Sequence, residues 1–248
     1  METSKKMNIA ITGAGGFIGT HLIHELEKRK ISYDALNRQK HDLFNSKSLK
    51  DFVLNKDIIV HLAGVNKDGD LEDILKVNIL GTKTLLDAIT AYNKNVKLIF
   101  ASSFGVYQEH NIFGLSKKIA EELIYKYTSM YAFNSIILRY SNIYGLGARP
   151  FTNSAIATFV HLAKTGKPIT LYEDGTQERD YLYIADAIQA LLVSFQFNLK
   201  KTETYDVYSG KTTSLNEVIK IIGKLSKKPV HIKKEKSSLK FQNIDQHL

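Results

Sequence analysis

The sequence predicts an α/β fold in which helices cover both faces of a doubly wound parallel sheet. Apolar runs of strand length alternate with helix-periodic segments through the first 140 residues. Several of these runs are continuous, which is typical of strands buried on both faces of a parallel sheet. The first run leads directly into a glycine-rich turn. The alternation implies right-handed crossovers between parallel strands. Open sheets of this kind bind ligands beyond the carboxyl ends of their strands.

Five strands and three helices are predicted in this part of the chain. The strands span residues 8–12, 33–37, 57–62, 96–102 and 135–140. The first helix carries Ile18, Leu22, Ile23 and Leu26 on one face, and longer helices span residues 71–92 and about 114–131. These apolar positions recur at the spacing of one helix face.

After Pro150 the pattern changes to helices separated by short strands. Helices are predicted over residues 154–165, 185–197 and 214–225, and strands near 169–172, 204–207 and 230–232. We expect a large first domain over residues 1–150 and a small second lobe over 151–248, packed on it with some exchange of segments. A chain of 248 residues is long enough for one sizeable core and such an annex.

The composition excludes several classes of protein. The absence of cysteine excludes disulfides and cysteine metal sites and is compatible with a reducing cytoplasm, where we expect the protein. The histidines at 21, 24, 161 and 231 lack metal-ligand spacing with acids, so no metal is expected. No apolar run approaches the roughly 18 residues that span a bilayer, and the polar start lacks a signal-peptide core. We therefore expect no membrane association.

The net charge of +9 raises the question of nucleic-acid binding. Much of the excess lies near the C-terminus, in Lys224, Lys227, Lys228, Lys233, Lys234, Lys236 and Lys240. Only Phe241 adds an aromatic ring among these lysines. We therefore interpret the stretch as a solvated basic surface and expect no nucleic-acid partner.

A phosphate-binding turn is predicted where the first strand meets the first helix. Gly13, Gly16 and Gly19 give the spacing G-x-x-G-x-x-G immediately after an apolar strand. The first glycine permits a tight turn, the second lets a pyrophosphate approach the backbone, and the third lets helix and strand pack closely. Free amides at the helix N-terminus then face the negative charge. Together these features predict a Rossmann-type dinucleotide-binding domain over residues 1–150.

The end of the second strand bears on the choice of dinucleotide. An acid there holds the adenosine ribose, whereas a basic residue accommodates the 2′-phosphate of NADP. Residues 36–39 end this strand with Asn37 and Arg38, and Asp34 lies earlier in it. Arg38 therefore favours NADP, with NAD as the alternative.

Several further motifs follow in order along the chain. They are residues 12–19, His61-Leu62-Ala63-Gly64, residues 78–82, Ala101-Ser102-Ser103 with Val106-Tyr107, residues 114–117, residues 138–142, and Arg179-Asp180-Tyr181 leading to Asp186. In these motifs the sequence resembles the extended short-chain dehydrogenase/reductase superfamily, in its NAD-dependent epimerase/dehydratase group that acts on nucleotide sugars. The likeness covers nearly the whole chain.

The resemblance implies roles for individual residues. Ser103 would hydrogen-bond the oxygen at the reacting sugar carbon, Lys117 would bridge the nicotinamide ribose, and Phe113 stands where the family has its catalytic tyrosine. The implied cofactor-binding residues are Gly13, Gly16, Phe17, Ile18, Gly19, Asn37, Arg38, Asp42, Leu43, Leu62, Ala63, Gly64, Asn78, Ser102, Lys117 and Tyr140. The implied substrate-binding residues, which would face a nucleotide-diphosphate sugar, are Ser103, Tyr107, Asn142 and Arg179.

Phenylalanine at position 113 removes the usual proton donor. Phe113 and Lys117 are four residues apart and share one helix face, but a phenyl ring exchanges no proton. General acid–base catalysis contributes about 10²–10⁴-fold, so turnover should be crippled without being abolished. Three explanations stay open: an engineered tyrosine-to-phenylalanine substitution, a natural variant that uses Tyr107 or His110 as donor, or a degenerate homologue that only binds.

Three reactions are common in the group: 4,6-dehydration, epimerisation and reduction of a 4-keto sugar. Dehydratases place an acidic pair after the catalytic serine or threonine, where this chain has Phe104 and Gly105. The short loop between Ser103 and Phe113 is similar to that of reductases that finish deoxysugar synthesis. We therefore favour 4-keto reduction of a nucleotide-linked 6-deoxyhexose. A 4-epimerase is the alternative, and a non-catalytic NADP or nucleotide-sugar binding protein is the second alternative.

The resemblance also bears on assembly and on the C-terminal lobe. Many relatives form homodimers through two helices per subunit, for which residues 71–92 and 114–131 are available. Relatives usually continue with further helices that complete the sugar pocket, so we expect an abbreviated substrate-binding lobe over residues 151–248.

Overall fold

The computed structural model describes residues 7–66, 70–152, 154–197, 199, 201–226 and 229–235. Of the predicted basic surface, Lys227, Lys228, Lys236, Lys240 and Phe241 lie outside these residues. The chain divides into two compact units by its contacts, one comprising residues up to 140 with 185–207, the other residues 141–184 with those from 208 on. The division into a cofactor domain over 1–150 and a substrate lobe over 151–248 stays a prediction.

The elements of the first unit are, in chain order, β1 (Ile9–Thr12), α1 (Phe17–Lys28), β2 (Tyr33–Ala35), α2 (Lys50–Val53), β3 (Ile58–His61), α3 (Leu71–Leu75), a π-helix (Lys76–Gly81), α4 (Thr82–Tyr92), β4 (Lys97–Ser103), a 3₁₀ helix (Phe104–Tyr107), α5 (Ile112–Tyr131), β5 (Asn134–Tyr140), and, after the second unit's first segment, α7 (Ile184–Ser194) and β9 (Glu203–Val207). The second unit contains β6 (Asn142–Tyr144), α6 (Ala155–Thr165), β7 (Ile169–Tyr172), β8 (Glu178–Tyr183), β10 (Thr212–Ser214), α8 (Leu215–Ser226) and β11 (Ile232–Glu235).

The first unit is built on a six-stranded parallel sheet in the order β2-β1-β3-β4-β5-β9. The predicted doubly wound α/β fold is therefore confirmed. The strand order changes direction between β1 and β3, and open sheets of this type bind ligands at the carboxyl ends beside that point. The glycine turn after β1 and residues 62–64 after β3 lie there.

The core of the first unit follows from the continuous apolar runs. β1 and β3 are buried along their whole length, as expected for strands covered on both faces. Phe52, Leu85, Ile89, Phe100 and Ile124 belong to one buried cluster that brings residues of α2, α4 and α5 against the sheet. Burial of such side chains contributes about 1.5–3 kcal/mol each, so this cluster is the main source of stability.

The second unit has its own smaller core. Its sheets are three-stranded (β10-β8-β6) and two-stranded (β11-β7). Phe159 of α6, Ile169 of β7, and Val218 and Ile222 of α8 are buried together. The amphipathic pattern of α8 therefore supplies one wall of this cluster.

Several elements differ from their sequence predictions. The strand near 204–207 was expected in the second lobe, but it pairs with β5 and forms the edge of the large sheet. The helix over 71–92 is interrupted by a π-helical turn at Lys76–Gly81. The last strand begins at Ile232 rather than near residue 230. The short α2, β6, β8 and β10 were not predicted, because their pairing and packing depend on residues distant in the sequence.

Candidate active site

The glycine turn closes tightly after β1. Gly13 has a left-handed φ of +71°, and a Cβ there would lie 2.5 Å from the backbone nitrogen of Ala63. A Cβ on Gly19 would lie 2.4 Å from the carbonyl oxygen of Gly13. Both positions therefore require glycine, since a side chain would collide with backbone atoms.

The N-terminus of α1 beside this turn suits a bound pyrophosphate. Gly16 occupies the cap position and no side chain caps the helix, so its first amides can serve an anion. A Cβ added to Gly15 would meet nothing within 4 Å, which leaves open space in front of the turn. Phe17 and Ile18, which follow in the first turn of α1, are half-buried. These residues fit a dinucleotide.

A turn after β2 displays the residues predicted to choose between dinucleotides. The side-chain oxygen of Asn37 accepts from the amide of Gln39 at 2.8 Å, and its carbonyl accepts from the amides of Lys40 and His41. Arg38 is exposed on this turn. Asp34 is instead paired with Lys56, so the acid of β2 is engaged elsewhere.

Asp42 and Leu43 form the next part of this edge. The Asp42 carboxylate accepts from the amide of Phe44 at 2.9 Å, which closes a local turn. Leu43 packs against the π-helix, because a Cβ on Gly81 would lie 3.0 Å from a methyl group of Leu43. This contact places Leu43 beside the helix that carries Asn78.

Residues 62–64 continue from the end of β3 and are held by Asn78. Its side chain accepts from the amide of Val65 and donates to the carbonyl of Val65, both at 2.8 Å, and it also donates to the Ser116 hydroxyl at 2.9 Å. Asn78 is almost fully buried. A Cβ on Gly64 would lie 3.1 Å from the Asn78 side-chain oxygen and 3.3 Å from Lys117 Nζ. Leu62, Ala63 and Gly64 thus run directly past these two polar groups.

A close glycine contact joins the turn that follows Ser103 to the start of α5, which carries Phe113. The Ser103 hydroxyl accepts from the amide of Gly105 at 3.1 Å and caps the 3₁₀ helix. A Cβ on Gly114 would lie 1.8 Å from the carbonyl oxygen of Gly105, so the start of α5 rests against this turn. Asn111 caps α5 through the amide of Gly114 at 3.2 Å. Phe113 is half-buried in the first turn of the helix.

Lys117 lies one helical turn after Phe113 and is buried. Its ammonium donates to the carbonyl of Ala101 at 2.9 Å and lies 4.6 Å from the centre of the Phe100 ring. Burial lowers the pKa of Lys117 to about 8, against an opposing influence of Glu121. The site therefore holds a cation that is costly to bury and whose pKa lies close to neutral pH.

A second group of polar residues, which sequence reasoning missed as a group, lies one turn further along α5. Glu121 is fully buried and accepts from Ser102 at 2.6 Å and from Arg139 at 2.9 and 2.6 Å. Arg139 also donates to the Tyr107 hydroxyl at 2.7 Å, which in turn donates to Asp206 at 2.9 Å. Strand pairing brings three of these residues together. Ser102 of β4 is paired with Arg139 of β5, which is paired with Asp206 of β9. We call these five residues the Glu121 network.

The network affects two residues predicted to touch ligands. The Ser102 side chain is turned to Glu121, and the Tyr107 hydroxyl is held between Arg139 and Asp206. Burial raises the pKa of Tyr107, with Asp206 acting in the same direction and Arg139 against it. The Arg139 pKa is raised, first by its hydrogen bonds to Glu121.

The remaining predicted residues have local partners. Tyr140 is buried, which raises its pKa, and its hydroxyl donates to the Ala187 carbonyl at 3.4 Å. Only its backbone is then available to a ligand. In the second unit, the Asn142 amide donates to the Asp180 carbonyl at 3.1 Å and Arg179 donates to the Glu178 carbonyl at 2.6 Å. Within the described residues, no helix is long and apolar enough to cross a bilayer, and no three potential metal ligands cluster.

Comparison with known proteins places these observations in a family. The model of the NAD dependent epimerase/dehydratase family matches residues 9–207. A candidate UDP-glucose 4-epimerase of Methanocaldococcus jannaschii is 31% identical over 251 residues, covering 86% of this chain and 81% of the relative. The dTDP-4-dehydro-6-deoxyglucose reductase of Escherichia coli is 29% identical, covering 92% of this chain and 84% of the reductase.

A solved structure is similar over most of the chain. It is a tyrosine-to-phenylalanine mutant of the UDP-glucuronic acid 4-epimerase from Bacillus cereus, in complex with UDP-4-deoxy-4-fluoro-glucuronic acid and NAD. The two chains are 25% identical with a TM-score of 0.81, over 93% of this chain and 87% of the other.

Proposed function

Because this chain belongs to the NAD-dependent epimerase/dehydratase family, we propose that it is an NAD(P)-dependent nucleotide-sugar oxidoreductase. The favoured reaction is 4-keto reduction of a nucleotide-linked 6-deoxyhexose. The observation that carries the proposal is the buried Lys117, which lies one turn after Phe113 beside Gly64 and Asn78. A buried amine beside Gly64, at the carboxyl end of the sheet, fits the nicotinamide end of a dinucleotide whose pyrophosphate lies at the N-terminus of α1.

The chain's own residues divide the work of holding the cofactor. Gly13, Gly16 and Gly19 leave room for the pyrophosphate at the start of α1, with Phe17 and Ile18 in the first helical turn. Further contacts come from Asn37, Arg38, Asp42, Leu43, Leu62, Ala63, Gly64, Asn78, Ser102, Lys117 and the backbone of Tyr140. When bound, the nicotinamide supplies or accepts the hydride.

The choice of dinucleotide follows from the turn after β2. Arg38 is exposed there while Asp34 is paired with Lys56, which supports a 2′-phosphate and hence NADP. The Bacillus cereus relative is described with NAD, so NAD is the alternative. Arg38→Ala should lower the affinity for NADP and leave the affinity for NAD unchanged.

The substrate end rests on four residues. Ser103 would hydrogen-bond the oxygen of the reacting carbon, and Tyr107, Asn142 and Arg179 would face the rest of a nucleotide-diphosphate sugar. Phe104 is buried where dehydratases have an acid, which disfavours dehydration. The likeness to the Escherichia coli 4-keto reductase supports reduction.

Phe113 leaves this site without its usual acid. Of the two candidate replacements, Tyr107 has its hydroxyl held by Arg139 and Asp206 and its pKa raised. Such a phenol is a poor proton donor to a substrate, because its proton is already donated in a hydrogen bond to Asp206 and its raised pKa makes it a weaker acid. This supports a chain that binds its ligands but turns over slowly, whether by engineering or by degeneration, over one in which Tyr107 substitutes. His110 stays open as a donor.

Two other functions stay as candidates. The likeness to the Methanocaldococcus jannaschii protein favours a UDP-sugar 4-epimerase as the alternative. The second alternative is a non-catalytic NADP or nucleotide-sugar binding protein, and Phe113 is its support. The tyrosine-to-phenylalanine mutant of Bacillus cereus, described with a nucleotide sugar and NAD, supports retention of binding after loss of a phenol.

Cofactor absorbance separates the three functions. The chain and its Phe113→Tyr variant would be incubated with a panel of nucleotide sugars and either NADPH or NADH. Net cofactor consumption with a 4-keto sugar means a reductase, and interconversion of two sugars without net consumption means an epimerase. Retention of a cofactor–sugar pair with neither reaction, even after restoring the phenol, means a binding protein.

A homodimer is part of the proposal. Leu71, Leu75 and Leu80, on the helical stretch from α3 through the π-helix, and Leu115 and Met130 of α5 are all substantially exposed. Two helices per subunit with unpartnered leucines suit a four-helix bundle with a second copy. Sedimentation velocity tests this, with Leu80→Glu expected to give monomers.

A further inference from the structure

We propose that His61 is a positioning residue that ties the glycine turn to the surroundings of Lys117, and that it acts as a neutral imidazole protonated on Nε2. The inference rests on the proposed function, since it concerns how the dinucleotide end of the site is held in place. His61 ends β3, has no exposed surface, and has both ring nitrogens in hydrogen bonds. Neither bond is to a group that would touch a ligand directly.

The direction of each hydrogen bond follows from its neighbours. The Thr82 hydroxyl donates to the carbonyl of Asn78 at 2.7 Å, and a carbonyl only accepts. The hydroxyl proton of Thr82 is thus used, so in the 3.0 Å bond between this hydroxyl and His61 Nε2 the imidazole must be the donor. His61 is thus protonated on Nε2.

The hydrogen bonds of the other ring nitrogen are consistent with this tautomer. The amide of Ala63 donates to the Thr12 hydroxyl at 3.1 Å. That hydroxyl is then free to give its proton to His61 Nδ1, which lies 2.7 Å away. Nδ1 is an acceptor, so a single tautomer satisfies the whole chain of bonds. A second proton on the ring would force the Thr12 hydroxyl to turn its own proton away and to accept from Nδ1 instead.

The surroundings keep the ring neutral. Burial lowers the pKa of His61 to about 3, and the nearby positive charge of Lys117 acts in the same direction. The Phe100 ring lies 5.6 Å away, centre to centre. Within the described part of the chain, Lys117 is the charged side chain that adds to this lowering. The ring is therefore uncharged near neutral pH.

The chain of bonds continues to the helix that carries Lys117. Asn78, whose carbonyl holds the Thr82 hydroxyl, clasps Val65 and donates to Ser116. Ser116 donates to the carbonyl of Phe113 at 2.7 Å. A path of hydrogen bonds therefore runs from Thr12, directly before the glycine turn, through His61 to the first turn of α5.

The π-helical turn indicates why this path of hydrogen bonds matters for the site. A π-helix is rare, and it is found frequently at functional sites. Here the turn spans Lys76–Gly81 and contains Asn78, while Thr82 is the first residue after it. The bond from His61 to Thr82 fixes the helix on the far side of the turn, so Asn78 is held at the register that places its side chain beside Gly64 and Lys117.

Two variants test the positioning role. His61→Phe keeps a buried ring but removes both bonds, and Thr82→Val keeps the shape of threonine but removes the acceptor of Nε2–H. His24→Phe on the exposed face of α1 is the matched control. Dinucleotide affinity is measured by calorimetry, and the titration of Lys117 is followed by NMR after ¹³C-methylation of lysines. The His61 tautomer is read from the ¹⁵N shifts of the unmodified protein.

The expected result has three parts. His61→Phe and Thr82→Val each weaken dinucleotide binding at least tenfold. The double variant binds no more weakly than the single variant with the lower affinity, because both substitutions break the same path of hydrogen bonds. Each variant moves the Lys117 titration, and the ring nitrogens report protonation on Nε2 alone. His24→Phe changes none of these. If His61→Phe does not fold, Thr82→Val alone decides.

Failure of this inference differs from failure of the proposed function. Folded variants with unchanged dinucleotide affinity and unchanged Lys117 titration, or a ring protonated on Nδ1, overturn the role of His61. Absence of dinucleotide binding by the unaltered chain overturns the proposed function instead. The tautomer and the Lys117 titration are still measurable in that case, and they then decide whether His61 positions the lysine.

Discussion

The carboxylate of Glu121 and the guanidinium of Arg139 form two parallel hydrogen bonds of 2.9 and 2.6 Å, although Glu121 has no exposed surface. A bidentate pair of this kind offsets the cost of burying both charges. It joins α5 to β5, and through Ser102 and Tyr107 it also reaches β4 and the 3₁₀ helix. The helix that carries Lys117 is thereby fixed to β4, to β5 and to the 3₁₀ helix.

Removing the Glu121 charge should destabilise the protein strongly. Glu121→Gln leaves Arg139 without a counter-charge, and breaking a buried pair in this way costs about 3 kcal/mol or more. Glu122→Gln is the matched control, because Glu122 is exposed and pairs with the partly exposed Lys118, so its effect should stay within about 0.5 kcal/mol. Urea denaturation measures both. Equal effects of the two substitutions would show that the buried pair stabilises nothing.

Restoring a phenol should restore proton transfer. Phe113→Tyr is expected to raise turnover of the accepted nucleotide sugar at least tenfold, because general acid–base catalysis contributes about 10²–10⁴-fold. Phe113→Leu, which adds no acid, should give no increase. The rate is followed by cofactor absorbance under saturating substrate. An unchanged rate in Phe113→Tyr would mean that the site does not depend on a phenol at this position.

Lys117 should make stability depend on pH above neutrality. Burial lowers its pKa from 10.5 to about 8, so between these values the unfolded chain binds more protons than the folded one. Stability therefore rises with pH through this window, by about 1.4 kcal/mol between pH 7 and pH 9. Lys117→Met should remove this rise, whereas Lys118→Met, at the neighbouring and partly exposed residue, should keep it. Parallel pH curves for all three proteins would refute the burial of a charged lysine.

His61 should make the protein sensitive to acid. Its pKa is lowered from 6.5 to about 3, so as pH falls below 6.5 the unfolded state takes up a proton that the folded state refuses. Stability is lost in that window, by about 1.4 kcal/mol between pH 8 and pH 5.5 from this group. His61→Phe should lack this component and His24→Phe should retain it. The difference between the variants' unfolding free energies at the two pH values isolates the effect from that of the carboxylates.

The glycine turn should tolerate a methyl group at one position and not at another. Gly19→Ala places a Cβ 2.4 Å from the Gly13 carbonyl, and such overpacking against backbone costs about 2 kcal/mol or more. Gly15→Ala meets nothing within 4 Å, so its stability should be unchanged or raised by about 0.5 kcal/mol. Thermal unfolding of the two variants checks this. A Gly19→Ala protein with unchanged thermal stability would mean that the turn has room for a methyl group beside the Gly13 carbonyl.

The parts of the fold that local sequence determines could be predicted. The apolar runs of β1 and β3 and the glycines after β1 are properties of short segments, and the structure places them as expected. The identification of the family rested on several such segments in order, and it is confirmed. The π-helical turn around Asn78 escaped prediction, because it depends on contacts with Leu43 and His61 that are distant in the chain.

The same reason explains what was missed at the site. The placement of β9 in the large sheet brings Asp206 opposite Arg139, and no periodicity in the sequence announces that pairing. From the sequence, Tyr107 is a candidate replacement for the missing proton donor because it lies near Ser103. Its engagement with Arg139 and Asp206 depends on the pairing of β5 with β9 and is visible only in three dimensions.

Calorimetric titration with NADP and with NAD tests the central claim, namely that a dinucleotide lies along the start of α1 with its nicotinamide end at Lys117. The account predicts saturable binding of one dinucleotide per chain, tighter for NADP, and at least tenfold weaker in Lys117→Met than in Lys118→Met. No uptake of either dinucleotide by the folded protein would contradict it.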